Sequence, residues 1–293
     1  MWESGLRSLW GRIPDALAVG ELLIRGRGRA HGAVVLAYHD ITDYPESFTS
    51  YAVSTGRFRQ HIELARRWGY TFVDLATIVD RAERPGDLDG LAAVVFDDCL
   101  AGVYRNALPV LVELGVPATL FAVTRALGTV PGWWPGSSRV MTNSELLEMS
   151  DVGCRLGSHT RSHLSLPSVG DGSLGDEVSG SRQDLEDRIQ ERVDLFAYPF
   201  GHHDPRVRDA VAKSGYRAAF SFLNGRVSTG LDPLRLPRIN MHEGLATIRF
   251  AHHLARSAQR WPDTQLESVG DAGTGVGAAH VSLDEISGSG AES

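Results

Sequence analysis

Residues 94–100 read VVFDDCL, and this stretch decides both the fold class and where to look for chemistry. A run of apolar, β-branched residues predicts a buried strand, which ends abruptly in two adjacent carboxylates, Asp97 and Asp98. Two charges at the end of a buried strand are costly unless a metal, a salt bridge or a shared proton offsets the loss of water. The stretch therefore predicts a buried strand that leads directly into a functional site.

Outward from this strand, short apolar runs alternate with amphipathic segments. The strand-like runs are AVVLAYH (33–39), the start of TFVDLATIVD (71–80), AAVVFDD (92–98), PATLFAV (117–123), CRLGSH (154–159), DLFAYP (194–199), YRAAFSF (216–222) and LRLPRIN (234–240). Predicted helices separate them, among them 54–69, 103–115, 173–193, 204–215 and 244–261. This alternation predicts βαβ units with a parallel sheet, and seven or eight units favour a closed (β/α) barrel in a single α/β domain.

The two ends of the chain differ in composition from this central part. Residues 1–31 predict an N-terminal helical extension, whose tryptophans and arginines also leave peripheral contact of residues 1–30 with a membrane open. Residues 262–293 have six acidic residues, no Lys or Arg, and much Gly and Ser, which predicts a disordered tail. The barrel domain is therefore expected at residues 32–261.

Charge and cysteine content limit the partners and the compartment. The net charge is −7 and most of it lies in the tail, so no basic face for a nucleic acid is expected. There are two cysteines, Cys99 and Cys154, which argues against a disulfide framework. Charged residues and Pro14 interrupt every apolar run near the N-terminus, so neither a signal peptide nor a transmembrane segment is expected. These features predict a cytoplasmic protein.

A second polar segment, GSHTRSH (157–163), follows another predicted strand. His159 and His163 are four residues apart, close enough to reach one ion from a tight loop. Either motif alone is weak, because an Asp-Asp pair often caps a helix and two nearby histidines often have no ligand. Both motifs, however, fall at strand ends, where barrel enzymes carry their active sites. Together they predict a divalent metal with two histidines and one aspartate, and a second aspartate free to act as general base.

Three segments in order, VVFDDCL, GSHTRSH and FAYPFG (196–201), resemble the leading motifs of the polysaccharide deacetylases, carbohydrate esterase family 4 with the NodB homology domain. The resemblance covers roughly residues 33–240. It implies a distorted (β/α) barrel, usually of seven parallel strands. It also implies a hydrolase of non-peptide carbon–nitrogen bonds, which removes acetyl groups from N-acetylated sugars or glycoconjugates with the help of a metal.

The resemblance also implies roles for individual residues. Asp97 would be the general base, and Asp98, His159 and His163 would hold one divalent ion, with zinc the default and nickel or cobalt also suited to such ligands. Thr160 would hydrogen-bond within the histidine loop. In the third motif, the Phe200 amide would bind the oxyanion, and the residues Tyr198, Pro199 and Phe200 would form the acetyl pocket.

The chain departs from the family pattern at several positions. Ala197 stands where the family often has an arginine that pairs with the base, and Arg238 is a candidate substitute. Cys99 stands at a position that is commonly glycine. The family's last motif supplies a histidine general acid, for which His242 is the candidate here. The loop 128–138 carries Trp133 and Trp134, two candidates for contact with the sugar.

The sequence leaves two alternatives to a sugar deacetylase. One is a deformylase or another C–N hydrolase that acts on a small or lipid-linked intracellular substrate. The other is a catalytically impaired family member that binds carbohydrate without turnover, which Ala197 and the uncertain last motif suggest. The two aspartates and the two histidines are intact, which favours an active enzyme. Unpaired buried charges are costly, so a site that had lost its function would tend to lose them first.

Overall fold

The computed structural model describes residues 31–44, 51–84, 87–245, 250 and 254. Its main sheet contains, in chain order, the strands β1 (Val34–Tyr38), β4 (Thr71–Phe72), β5 (Leu91–Asp97), β6 (Ala118–Ala122), β7 (Arg155–Ser158), β8 (Leu195–Ala197), β9 (Ala218–Asn224) and β10 (Leu236–Asn240). Two short strands, β2 (Asp40–Thr42) and β3 (Ala52–Ser54), pair separately with each other.

Seven of these strands close into a parallel barrel. The order runs β1-β10-β9-β8-β7-β6-β5, and β5 pairs back with β1, while β4 lies outside the ring against β5. Every pairing between neighbours in the ring is parallel. The single-domain (β/α) barrel predicted from the sequence is therefore confirmed.

Helices connect the strands on the outside of the barrel. They are α1 (Thr55–Arg67), α2 (Leu75–Glu83), α3 (Leu108–Leu114), α4 (Asn143–Asp151), α5 (Asp171–Gly175), α6 (Ser181–Ile189) and α7 (Pro205–Lys213). Their starts follow local capping rules: the Ser54 side chain accepts from Arg57 N at the start of α1, and Thr142 with Glu145 forms a capping box on α4. The described residues also form short 3₁₀ turns at Leu166–Ser168, Pro199–Gly201 and Pro233–Arg235.

Strand side chains alternate between two apolar layers. In β1, Val35 and Ala37 lie in the barrel interior with Ala93 and Val95 of β5, whereas Leu36 packs outward beneath the helices. Both faces are buried, as expected for a parallel sheet covered by helices. Because alternate residues share a face, Asp97 continues the inward face of β5 at its carboxyl end.

The structure differs from the sequence prediction in two helices, 103–115 and 173–193, each of which contains a π-helical segment. Residues 173–193 were expected to form one helix, but π-helical residues Asp176–Gly180 separate α5 from α6. A second π-helical segment, Val103–Ala107, precedes α3. The predicted N-terminal extension, the acidic tail and most of the helix expected at 244–261 lie outside the described residues. No helix in the described part of the chain is long and apolar enough to cross a membrane.

Candidate active site

A cavity of about 230 Å³ lies at the carboxyl ends of the barrel strands. Among the described residues, it is lined by His39, Tyr51, Asp97, Asp98, Trp134, His159, His163, Phe200 and Phe222. Asp97 ends β5, His159 directly follows β7, and His39 directly follows β1. The three motifs identified in the sequence thus meet at one end of the barrel, where enzymes of this architecture place their active sites.

Three buried side chains form a cluster that fits a divalent cation. One ligand atom from each of Asp98, His159 and His163 lies within 4.8 Å of the others. Asp98 Oδ1 is 3.2 Å from His163 Nε2 and 3.7 Å from His159 Nε2. Ligands about 2.0–2.2 Å from a tetrahedral zinc ion lie about 3.3–3.6 Å from each other, so both separations are within about 0.1 Å of those expected around such an ion.

The protonation of the cluster also suits a cation. Burial raises the pKa of Asp98 to about 8, and the neighbouring charge of Asp97 adds to the rise. Burial, with the nearby His159, lowers the pKa of His163 to about 2, and burial also lowers the pKa of His159. Neutral imidazoles are the form that binds metals, and a cation would favour the ionised form of Asp98.

Hydrogen bonds orient the His159 ring and hold the backbone at His163. His159 Nδ1 lies 2.7 Å from the carbonyl oxygen of Ala197, which can only accept, so this nitrogen carries the proton and Nε2 is left for a ligand. The Thr160 hydroxyl accepts a hydrogen bond from the backbone N–H of His163 at 3.0 Å, and the Thr160 N–H donates to Ser158 Oγ at 3.3 Å. Thr160 therefore makes the bond within the loop that the family resemblance implied.

Backbone strain is concentrated in these loops. Six non-glycine residues have positive φ in the described part of the chain, and Gln190 at the end of α6 is the one that lies outside the three motifs. The five within them are Asp98, Cys99, Thr160, His163 and Phe200, with φ between 54° and 68°. Such conformations are costly for residues with a Cβ and persist where surrounding structure imposes them, often at functional sites.

Asp97 is held by a buried arginine. Arg238 Nη1 donates to Asp97 Oδ1 at 2.7 Å, and Arg238 Nε donates to the carbonyl of Ser221 at 3.0 Å. Burial alone would raise the pKa of Asp97, but the charge of Arg238, with His159 and His39, outweighs it and holds that pKa well below its usual range. The candidate substitute for the motif arginine therefore lies in contact with the candidate base.

His39 lies in the cavity, although it is not among the candidates predicted from the sequence. Its Nε2 is 3.8 Å from Asp97 Oδ2, and its ring stacks on Trp134 with 4.9 Å between centroids. Burial lowers the pKa of His39 to about 4, although Asp97 opposes the shift. His242 is half-buried and is not among the described residues that line the cavity. Of the two histidines, His39 is the one that lies in the cavity beside Asp97 in the described part of the chain.

The third motif divides between core and cavity. Phe200 is 42% exposed, lines the cavity and meets the His163 ring edge-on at 4.6 Å between centroids. The expectation that Tyr198 walls the acetyl pocket is wrong: its ring is buried in the outer core, and its hydroxyl donates to the Leu234 carbonyl at 2.9 Å. Pro199 is buried at the start of a 3₁₀ turn and likewise does not line the cavity. Phe200, which has a left-handed backbone conformation, therefore lines the cavity, whereas Tyr198 and Pro199 before it are buried.

The two tryptophans of the 128–138 loop occupy different positions. Trp134 lines the cavity and stacks on both His39 and Tyr51. Trp133 lies parallel to the ligand candidate His163, with 4.3 Å between ring centroids, and is not among the described cavity-lining residues. Direct contact with a substrate in the cavity thus fits Trp134, while Trp133 fits a support for His163.

Some of the cavity residues could have been predicted from their positions in the sequence, and others could not. His39 directly follows the first strand, so the strand-end rule that selected Asp97 and His159 could have selected it as well. Tyr51 lies just before β3, and Phe222 lies within β9. An aromatic residue at these positions is equally typical of a core, so nothing in the sequence distinguishes their role.

Comparisons with known proteins agree with this geometry. Residues 87–219 match the family model described as Polysaccharide deacetylase. The segment contains Asp97, Asp98, His159, His163 and Phe200, and excludes His39 and Arg238.

Individual relatives are distant in sequence and cover most of the chain. YxkH of Bacillus subtilis is 23% identical over 223 residues, which is 75% of each protein. A poly-beta-1,6-N-acetyl-D-glucosamine N-deacetylase of Staphylococcus epidermidis is 24% identical over 65% of this chain and 68% of its own length. The crystal structure of BC0361, a polysaccharide deacetylase from Bacillus cereus, superimposes with a TM-score of 0.65 at 26% identity, covering 77% of this chain and 69% of that one.

Proposed function

Because the chain belongs to the polysaccharide deacetylase family, whose members hydrolyse carbon–nitrogen bonds, we propose that it removes the acetyl group from an N-acetylated sugar of a polysaccharide or glycoconjugate. One observation carries the proposal. The buried Asp98, His159 and His163 cluster adjoins an ionised carboxylate, Asp97, in a single cavity. A ligand set with a base beside it is the arrangement that metal-assisted amide hydrolysis requires.

Asp98 Oδ1, His159 Nε2 and His163 Nε2 would hold the metal ion, with zinc as the default. Such an ion supplies a Lewis acid that activates water and polarises the acetyl carbonyl. The Ala197 carbonyl keeps the His159 ring oriented toward it, and Thr160 holds the backbone at His163. The Phe200 backbone N–H is the proposed donor to the oxyanion, and its ring forms one wall of the cavity.

Asp97 acts as the base in this proposal. Arg238 keeps the carboxylate ionised by occupying Oδ1, which leaves Oδ2 to accept a proton from the attacking water. His39 Nε2 lies 3.8 Å from that same oxygen and can take the proton on to the leaving nitrogen. The C–N bond then breaks as the nitrogen is protonated, and the products are acetate and a free amine.

The substrate is proposed from the cavity and from the relative in Staphylococcus epidermidis, whose name states that it acts on poly-N-acetylglucosamine. Trp134, Tyr51 and Phe222 give the cavity aromatic walls, and ring faces of this kind stack well on sugars. The cytoplasmic location expected from the sequence belongs to the proposal, and cell fractionation with an antibody to this chain tests it.

The decisive experiment measures metal content and product together. Purified protein is expected to contain one divalent ion per chain and to release acetate from N-acetylglucosamine oligomers. Asp98→Ala, His159→Ala and His163→Ala should lose the ion, whereas Asp97→Asn should retain it and lose turnover. A panel that includes N-formylated sugars distinguishes acetate from formate release. Full metal content in all three ligand variants, or no turnover by metal-loaded protein, would contradict the proposal.

A further inference from the structure

We infer that Glu177 is a positioning residue that anchors the histidine loop (residues 159–163) from behind and thereby sets the affinity of the site for its metal. The inference rests on the proposed function only in that the loop holds a metal. Glu177 lies outside the three motifs, and it does not line the cavity among the described residues. Its role would therefore be exerted through the loop backbone.

Two hydrogen bonds connect Glu177 to the loop. Its Oε2 accepts from the backbone N–H of Arg161 at 3.1 Å and of Ser162 at 2.9 Å. These two donors lie between the ligand candidates His159 and His163. Glu177 is only 4% exposed, so the carboxylate has exchanged water for these partners. Hydrogen bonds to a charged acceptor are stronger than neutral ones, which makes this an effective anchor.

A π-helical turn helps to present the carboxylate. Glu177 belongs to the π-helical segment Asp176–Gly180, between α5 and α6, and π-bulges in helices are frequent at functional sites. Arg161 closes over the outer side of the segment, where it pairs with Asp176 and Asp184. A Cβ at Gly180 would lie 2.5 Å from Arg161 Cζ, so the glycine leaves room for this clamp.

The loop needs an anchor because its conformation is strained. Thr160 and His163 both have left-handed φ values, of 68° and 55°, and both are non-glycine residues. Without the hydrogen bonds to the Arg161 and Ser162 amides, the backbone from Thr160 to His163 would be freer to relax. His163 would then lose its alignment with Asp98 Oδ1. Residues that support metal ligands in this way typically change metal affinity by about 10- to 100-fold when removed.

The test is a metal titration of the full chain against a chromogenic chelator, with Zn²⁺ and Co²⁺ as the probes. Glu177→Ala removes the acceptor, and Glu177→Asp keeps the charge but withdraws the oxygen by one methylene. Both are expected to weaken metal binding by about 10- to 100-fold. Glu177→Gln retains an oxygen at the same reach and should restore part of the affinity. Asp187→Asn, at an exposed position of α6, is the matched control and should bind as the parent does.

Two further readouts separate positioning from a general loss of fold. In metal-free protein, the Arg161 and Ser162 amides should exchange with solvent faster in Glu177→Ala and Glu177→Asp, while amides of the β5 strand keep their protection. The Co²⁺ absorption spectrum should change in the same variants. Parental affinity in Glu177→Asp overturns the inference even if Glu177→Ala does not fold. Absence of metal binding by the parent chain would instead contradict the proposed function.

Discussion

Arg238 and Asp97 form an ion pair with 2.7 Å between Nη1 and Oδ1, and their side chains are 0% and 1% exposed. They come from β10 and β5, 141 residues apart in sequence, and both side chains lie inside the barrel near the carboxyl ends of its strands. Ala197, where the family resemblance implied an arginine, is also in the barrel interior, on β8. The guanidinium thus reaches the same carboxylate from a different strand, which maintains the charge balance that two adjacent aspartates require.

Replacing Arg238 with methionine should destabilise the fold, because it removes the ion-pair partner of Asp97, the proposed base. Removing one partner leaves a buried, uncompensated carboxylate, which typically costs about 3–5 kcal/mol of the free energy of unfolding. Urea denaturation at pH 7 measures this cost. Arg67→Met, in which a mostly exposed arginine is changed in the same way, should cost less than about 0.5 kcal/mol.

A double variant tests whether the two charges act on each other. Asp97→Asn combined with Arg238→Met removes both ions, so it should be more stable than Arg238→Met alone. Additive losses in the double-mutant cycle would show that the pair is not coupled.

Replacing His39 and replacing His242 should have different effects on turnover. His39→Ala should lower kcat by about 10²- to 10⁴-fold, since it removes the proposed proton donor to the leaving nitrogen. His242→Ala should change kcat much less, because His242 does not line the cavity among the described residues. Acetate release at saturating substrate measures both, with metal content checked in each variant. A large loss in His242→Ala with normal turnover in His39→Ala would reverse the assignment.

Periodicity in the sequence was enough to predict the barrel, because buried parallel strands and amphipathic helices have different repeats. It also placed Asp97 and His159 at one end, since that follows from strand direction alone. The contacts of these residues depend on which strands become neighbours in the barrel and on whether each side chain faces the interior or the helices. Arg238 could therefore be named only as a candidate for the contact it makes. Tyr198 was wrongly assigned to the cavity, because alternate residues of a strand share a face and its neighbour Ala197 takes the face that points into the barrel.

The two tryptophans should differ in the quantity that they affect. Trp134→Ala removes a ring from the cavity wall and should raise KM for an oligosaccharide more than it lowers kcat. Trp133→Ala removes the ring that stacks on His163 and should weaken metal binding, which chelator competition measures. Equal effects on KM with unchanged metal affinity would mean that both rings contact substrate. Trp68→Ala, in a half-buried position at the end of α1, controls for the loss of an indole elsewhere.

Glu145 should make the stability of the fold depend on pH in the acid range. Its carboxylate accepts from Arg139 at 2.6 and 2.7 Å and from the Thr142 N–H at 2.8 Å, closing the capping box of α4. The hydrogen bonds from Arg139 are the main cause that lowers the pKa of Glu145 to about 2, while an unfolded chain has a glutamate pKa of about 4.3. A lowered pKa in the folded state stabilises the fold above the unfolded value, and this contribution is lost as the pH falls toward 2.

Glu145→Gln is therefore expected to cost about 1 kcal/mol of the free energy of unfolding at pH 7, a magnitude typical of a helix cap. The gap between the parent and the variant should shrink as denaturation is repeated at pH 5, 4 and 3, because the unfolded parent takes up a proton near pH 4.3 while the folded carboxylate stays ionised until about pH 2. Asp151→Asn, at the exposed end of the same helix, makes the same change of charge without the capping bonds and should show no such convergence. A gap that stays constant down to pH 3 would mean that the ionised carboxylate does not stabilise the cap.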